Sequence, residues 1–544
     1  MKLRTILIAG SATLALAAPA LADDASIEKR LDAMQRMIDS QQKQIESQRG
    51  EIKTLKHTLS RRRVKLAPEV QTAAAAPPAP SPAPVPEGRT GPSEQEQIDA
   101  LNTRIEATEN SAKIAKQDAP VWSLANGRPS VTSADGRFSA AIRAIAQYDT
   151  AYYMQSGSAR QLAPANGPDL SSGANFRRVQ LGLQGKLFGD WSYFFNYDFA
   201  GSGGTETPGH IQAVYVEYDG FAPFAVRLGA FPPSAGLEDS TGSADTIFLE
   251  RNSPSDVARN IAGGDGRDAA SVIYAGDRIY GAVSLSGDKI QDSGAFDEQE
   301  ALLGRLSGLL YTDDDAKLVL SGNGTYVFKT PDTSPLPDSP GTITLSDPPE
   351  LTVDNSGTKL VSTGALNGGH VWEWGMEGAA QWDSLYAQAG YFGYGVDLRA
   401  SPLSYNFDGW YAQATWVLTG ESRVYSTASG AFGNPHPRDN FSLSGGGWGA
   451  WELAARYSDL DLNDHAGTIG AAQPADGLRG GDQKIWTFGL NWYPNAALKF
   501  DLQYQNVDVG RIGTIPAGFG HGTLSNAQVG QRYNTIALRS QIAF

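Results

Sequence analysis

The feature that most restricts this chain is a period of two, held from Arg137 to the C-terminus, with aromatic side chains gathered on one face of each run. WSYFFNYDFA sets Trp191, Tyr193, Phe195, Tyr197 and Phe199 against Ser192, Phe194, Asn196 and Asp198. HVWEWGMEGAAQW sets Trp372, Trp374, Met376, Ala380 and Trp382 against Glu373, Glu377 and Gln381. GAWELAARYSD, KIWTFGLNWY, LKFDLQYQN and the terminal TIALRSQIAF repeat the arrangement. Successive side chains of a strand point to opposite faces, so each run reads as a strand with one apolar and one polar face.

The charges decide what the apolar face touches. They fall almost entirely opposite the aromatics, and a charge at a lipid-facing midplane position costs about 2–4 kcal/mol. Trp and Tyr recur towards strand ends, where a membrane interface favours amphipathic rings. A soluble sandwich would hide its aromatics between two sheets and would need no such girdles. In lipid an open sheet edge has no water to satisfy it, so the sheet must close. The expected fold is therefore all-β, a closed antiparallel transmembrane β-barrel over 128–544. Roughly 400 residues at about ten per strand, plus turns and loops, accommodate about 16 strands. A barrel that wide leaves an aqueous channel.

Upstream the pattern changes. MKLRTILIAGSATLALAAPALADD has a positive start, a short apolar run and an A-x-A site, which predicts a signal peptide over 1–22. Over 23–66, Ile27, Leu31, Met34, Ile38, Gln41, Ile45, Gln48, Ile52, Leu55 and Leu59 alternate spacings of four and three. That is a heptad seam and predicts an α-helical coiled coil. A Pro/Ala-rich linker follows at 67–93, extended and semi-rigid. Ile98, Leu101 and Ile105 then share one face of a short helix expected over 94–117.

Composition removes several functions. The chain has no cysteine, so disulfides and thiolate metal sites are excluded. A formal net charge of -15 gives no basic face for nucleic acid. No cofactor motif occurs: GSGGTETPG and GGDGRD lack the strand-then-helix context of a phosphate cradle. Asp459, Asp461 and Asp464 lack the glycine and distant glutamate of a calcium loop. The six histidines sit in no nucleophile motif, so no enzyme is expected.

SADGRFSAAIRAIAQYDTAYY, NFRRVQLGLQGKLFGDWSYFFNYDFAG, VYVEYDG, IFLERNSP, TGESRVYSTASGAFGNPHP, GGWGAWELAARYSDLDL and GGDQKIWTFGLNWYPN together resemble the phosphate-selective porin O and P family. The resemblance covers about 133–544. It implies a 16-stranded homotrimeric porin in the outer membrane of a Gram-negative bacterium, passive diffusion of small ions and solutes, and anion or phosphate preference in some members. Some members carry an N-terminal coil, which the stalk here matches. A periplasmic stalk also admits a second role, a structural tether meeting peptidoglycan.

The family's anion path uses basic wall residues and an inward-folded loop. Arg143, Arg178, Lys186, Arg227, Arg456, Lys499 and Arg539 fall on the predicted inner face, with Glu373, Glu377, Glu452 and Asp501 as acidic pore-lining candidates. Strict alternation points Arg177 outward unless it lies beyond the membrane band. The stretch from Ala230 to Arg267 is expected to form the constriction loop, with Glu238, Asp239, Asp245, Glu250, Arg251, Arg259 and Arg267 as candidates. It contains no lysine, unlike the loops of phosphate-binding members. Mixed charge gives a transverse field and weak selectivity, so a general or mildly ion-selective channel is expected.

Overall fold

Sixteen antiparallel strands form one closed wall: β1 (Ser139–Gln155), β2 (Gly173–Leu187), β3 (Trp191–Asp198), β4 (His210–Phe221), β5 (Phe224–Ala230), β6 (Arg267–Ala275), β7 (Ile279–Lys289) and β8 (Glu300–Thr312), then β9 (Ala316–Lys329), β10 (Gly368–Trp382), β11 (Leu385–Leu398), β12 (Ser404–Val417), β13 (Ala450–Asp464), β14 (Leu478–Asn495), β15 (Leu498–Gly510) and β16 (Arg532–Ala543). Each strand pairs with the next in sequence, and β16 pairs back onto β1. The computed structural model describes residues 96, 99–100, 102–108, 110, 118–155, 169–200, 209–290, 296–336, 339–354, 357–515 and 522–544. The signal peptide, coiled coil and linker expected over 1–93 lie outside these residues. Of the expected 94–117 helix, residues 96, 99–100, 102–108 and 110 are helical.

The closing seam runs through Arg539↔Asp149 and Leu538↔Thr150 to Ala543↔Ile145. Phe544 exchanges both backbone hydrogen bonds with Ala144 at 3.0 Å and is the last rung of the wall. Beyond it the free edge of β1 is taken up by Ser130–Thr132, itself paired with Val121–Ser123. The sheet thus begins slightly before residue 128.

The alternation sorts side chains as the physics requires. On β8, Leu302, Leu306 and Leu310 are exposed towards lipid, while Ala301, Leu303, Arg305, Ser307 and Leu309 are buried inside. Arg305 therefore shares the inner face with two leucines, which are covered by chain folded into the barrel. Trp191, Trp382, Trp416, Trp451 and Trp492 stand at the end of the barrel where most turns are short, the periplasmic end. Trp451 and Trp492 are register partners, stacked at 5.4 Å.

Among the register shifts of the wall, one changes the face of a candidate residue. Register partners jump from Gln147↔Arg178 to Tyr148↔Phe176, so Arg177 is the extra residue of a β-bulge. The bulge turns Arg177 inward, and Arg178 beside it also faces in. The outward placement expected from a plain period of two is corrected by this one inserted residue.

Among the described residues, three connections fill the lumen. The first, 231–266, leaves the wall early because β5 has only seven residues, fewer than the roughly 9–11 a strand needs to span. Irregular backbone cannot face lipid, so it turns inward. It carries α1 (Ser253–Ala262), which the sequence pattern did not announce. Asn252 caps α1 by accepting from Ser255 N at 2.9 Å, a proline sits in the first turn, and Asp256 lies near the N-terminus. The second connection, 330–367, buries Leu345, Leu351, Val353, Leu360 and Val361 against α1 and the wall.

The third comes from the opposite end. The other short-side turns hold two or three residues, but β12 and β13 are joined by 418–449. This segment forms a hairpin, Arg423–Ser426 with Ala431–Pro435, that reaches up into the barrel. Gly430 at its tip has φ +57°, and a Cβ there would lie 2.8 Å from Cβ of Tyr280. Only glycine fits both the backbone conformation and the approach to β7.

Candidate functional site: a lumen narrowed from both ends

Inside the barrel, 243–250 runs along the wall and its carbonyl groups need donors. Nearly every one receives a wall or hairpin side chain. Gln147 Nε2 donates to Ser243 O at 3.0 Å and Gln541 Nε2 to Ala244 O at 2.9 Å. Arg423 Nη2 donates to Asp245 O at 3.0 Å, Lys499 Nζ to Thr246 O at 2.6 Å and Asn491 Nδ2 to Ile247 O at 2.8 Å. Arg539 Nη1 reaches Leu249 O at 2.6 Å, and both terminal nitrogens of Arg456 reach Glu250 O at 3.1 and 3.2 Å.

Carboxylates neutralise these cations. Arg539 pairs with Asp149, Lys499 with Asp501 at 2.9 Å, Arg423 with Glu452 at 2.6 Å, and Arg456 with Glu350 of the second connection. The Arg456 guanidinium also lies 4.5 Å over the Phe248 ring. Arg456, Lys499 and Arg539 are thus inner-face residues, but they are buried under the loop and committed to it.

The acidic wall residues hold the loop too. Glu377 accepts the backbone N–H groups of Leu237 and Glu238, the second at 3.1 Å, and the Tyr411 hydroxyl at 2.6 Å. Glu238 accepts from Gln388 at 3.3 Å and Gln413 at 3.0 Å. Glu373 accepts from Asn323 at 2.6 Å. Glu452 accepts from Asn491 and Tyr493. Arg178 donates to Gln147 Oε1 at 2.8 Å. Arg267 opens β6 and closes the base of the loop by donating to Gly263 O and Gly287 O. Lys186 sits near the periplasmic rim with Asp219 at 2.9 Å. Asp245 accepts from Asn434 N of the hairpin segment at 3.4 Å.

Glu250 is the meeting point. Arg177 reaches it at 2.6 Å and Arg539 at 3.4 Å. Burial alone would raise its carboxyl, but Arg177, Arg178 and Arg539 outweigh burial and hold it well below the usual carboxylate range. In the same way Arg259 holds buried Asp265 far below that range.

Between the wall, the loop and the hairpin lies a cavity of about 330 Å³. Its charged walls are Arg143, Arg227, Arg251 and Arg259 against Asp239 and Asp265. Arg259 bridges Asp239 at 2.7 Å and Asp265 at 2.6 Å. Arg251 lies 3.8 Å from Asp239. Arg227 pairs with Glu217 of the neighbouring strand at 2.7 Å. Arg143 enters no ion pair among the described residues, and its Nε is buried without a hydrogen-bond partner there. The hairpin tip bounds the cavity through Ala428 and Ser429. Arg305 fixes that tip by donating to Ser429 O at 2.7 Å and Gly430 O at 2.8 Å.

Sequence reasoning missed the amide donors Gln147, Asn491 and Gln541, and the hairpin with its anchors Arg305 and Arg423. Strand parity could have found the hairpin. A connection of 32 residues between Val417 and Ala450, read from the strand bounds, falls on the side where turns are short.

Aromatics outside, polar groups inside, a seam without an edge and an interior cavity define an outer-membrane β-barrel channel. The chain belongs to the phosphate-selective porin O and P family, whose model matches residues 151–528. Porin O of Pseudomonas aeruginosa is 26% identical over 430 residues, covering 76% of this chain and 93% of that protein. An uncharacterized protein of Caulobacter vibrioides is 27% identical over 468 residues, covering 83% of each. The anion-selective porin from Comamonas acidovorans is 12% identical with a TM-score of 0.45, covering 75% of this chain and all of that one.

Proposed function

We propose that this channel passes small anions in preference to cations. One observation carries the reading: the cavity is lined by four arginines and two aspartates, and after Glu217 balances Arg227 the arginines still outnumber the carboxylates, although the chain as a whole is acidic. A surplus of one sign in a narrow, low-dielectric passage raises the local concentration of the opposite ion. The wall cations elsewhere do not contribute, because loop carbonyls and carboxylates consume them. Family membership supports the same reading, and with it a homotrimer.

The test is the reversal potential of single channels in a KCl gradient. Chloride should be the more permeant ion. Arg143→Gln with Arg227→Gln should move the potential towards zero. A potassium preference in the unaltered channel would overturn the proposal.

A further inference from the structure

The cavity wall on β1 to β5 is layered in an unusual way. The Arg143 guanidinium lies 5.7 Å over the Phe194 ring. Phe194 stacks on Tyr215, its register partner, with centroids 5.2 Å apart and planes 11° from parallel. The Arg227 guanidinium then lies 4.2 Å over Tyr215. Arg143 comes from β1 and Tyr215 from β4, on either side of β3, so cation, ring, ring and cation follow one another around the wall. The faces of both rings are covered by their neighbours. That leaves their edges for the cavity, which both rings line together with Phe231, 5.7 Å from Tyr215 and 71° to it.

Ring edges carry the positive part of the aromatic quadrupole and pack against the negative face of another ring. Two such edges between two guanidinium groups make a surface that is mainly positive and partly apolar, with the Tyr215 hydroxyl as a polar group on it. An inorganic oxyanion would use only the guanidinium ends. A flat aromatic anion would use the whole wall, with its carboxylate at Arg143, whose Nε has no hydrogen-bond partner among the described residues, and its ring face against the edges of Phe194 and Tyr215. Ile273 and Ala282 supply apolar floor. About 330 Å³ is room enough for a molecule of benzoate size.

We infer that the cavity selects aromatic carboxylates of the benzoate class over aliphatic carboxylates of equal charge. This rests on the anion passage proposed above and names a substrate class for it.

The experiment uses the full-length channel in a planar bilayer, with benzoate, cyclohexanecarboxylate and acetate added in turn to a KCl bath. Benzoate should interrupt the chloride current at a concentration about two- to tenfold lower than cyclohexanecarboxylate, the size of one aromatic contact. Phe194→Leu and Tyr215→Leu should each shrink that gap. Equal potency of benzoate and cyclohexanecarboxylate, or a gap unchanged in both variants, would overturn the inference. If chloride preference holds while the gap is absent, only this inference fails. If chloride preference is itself absent, the anion reading fails with it.

Discussion

Arg539 and Asp149 face each other across the seam where the last strand meets the first, with Nε to Oδ1 at 2.7 Å and Nη2 to Oδ2 at 2.6 Å. The pair is bidentate, buried and in register. It also aims the remaining guanidinium nitrogen at Leu249 O. Removing one partner of a buried pair costs about 3–5 kcal/mol, and without Asp149 the Arg539 guanidinium keeps only the longer carboxylate contact, to Glu250. Asp149→Ala should therefore lower the temperature at which the barrel loses its compact migration on a semi-native gel. An unchanged transition would show that the seam does not depend on this pair.

The pH dependence of the loop follows from Glu250. Its pKa is depressed by Arg177, Arg178 and Arg539 against the effect of burial. A depressed carboxylate contributes stability that is present above the unfolded value, about 4.3, and is lost as pH falls through the folded value. Single-channel conductance should then stay level from pH 8 down to about 4.3 and become unsteady only below it. Glu250→Gln should show the unsteady behaviour already at neutral pH.

Arg305 pins the periplasmic hairpin. Each hydrogen bond from a charged group contributes about 1.5–3 kcal/mol, and Arg305→Ala removes those to Ser429 and Gly430. The tip should leave β7 and β8, and single-channel conductance should rise. Gly430→Val should act in the same direction, since its backbone conformation and the contact with Tyr280 both exclude a side chain. An unaltered conductance in both variants would place the ion path away from the hairpin.

Leu306 tests the inside-out arrangement. It lies at the middle of β8 facing lipid, next to fully buried Ser307. Leu306→Arg should lower folding stability in lipid vesicles by about 2–4 kcal/mol, as measured by denaturant titration. A cost near zero would mean that this face does not meet hydrocarbon.

The wall was legible because one rule governs it. Any strand such as Trp486 to Trp492 shows its lipid face by alternation alone, and the total length sets the strand number. Arg177 was not legible, since a bulge depends on one extra residue relative to a partner strand. Alternation alone leaves the face of Leu303, Arg305 and Leu309 unassigned, because apolar side chains on the inner face make sense only once the lumen is filled. The roles of Arg456, Lys499 and Arg539 were hidden for the same reason. Sequence places them inside, but only the path of 243–250 shows that their protons go to backbone carbonyls.

That path has a bearing on protein engineering. The stretch 243–250 is held by groups from β1, β13, β14, β15, β16 and the hairpin. It cannot be transplanted as a cassette into another barrel. A graft must bring its far-flung donors along, and a redesign that keeps the donors but swaps the strip leaves Arg456, Lys499 and Arg539 with their carboxylates but without the carbonyl acceptors they also serve.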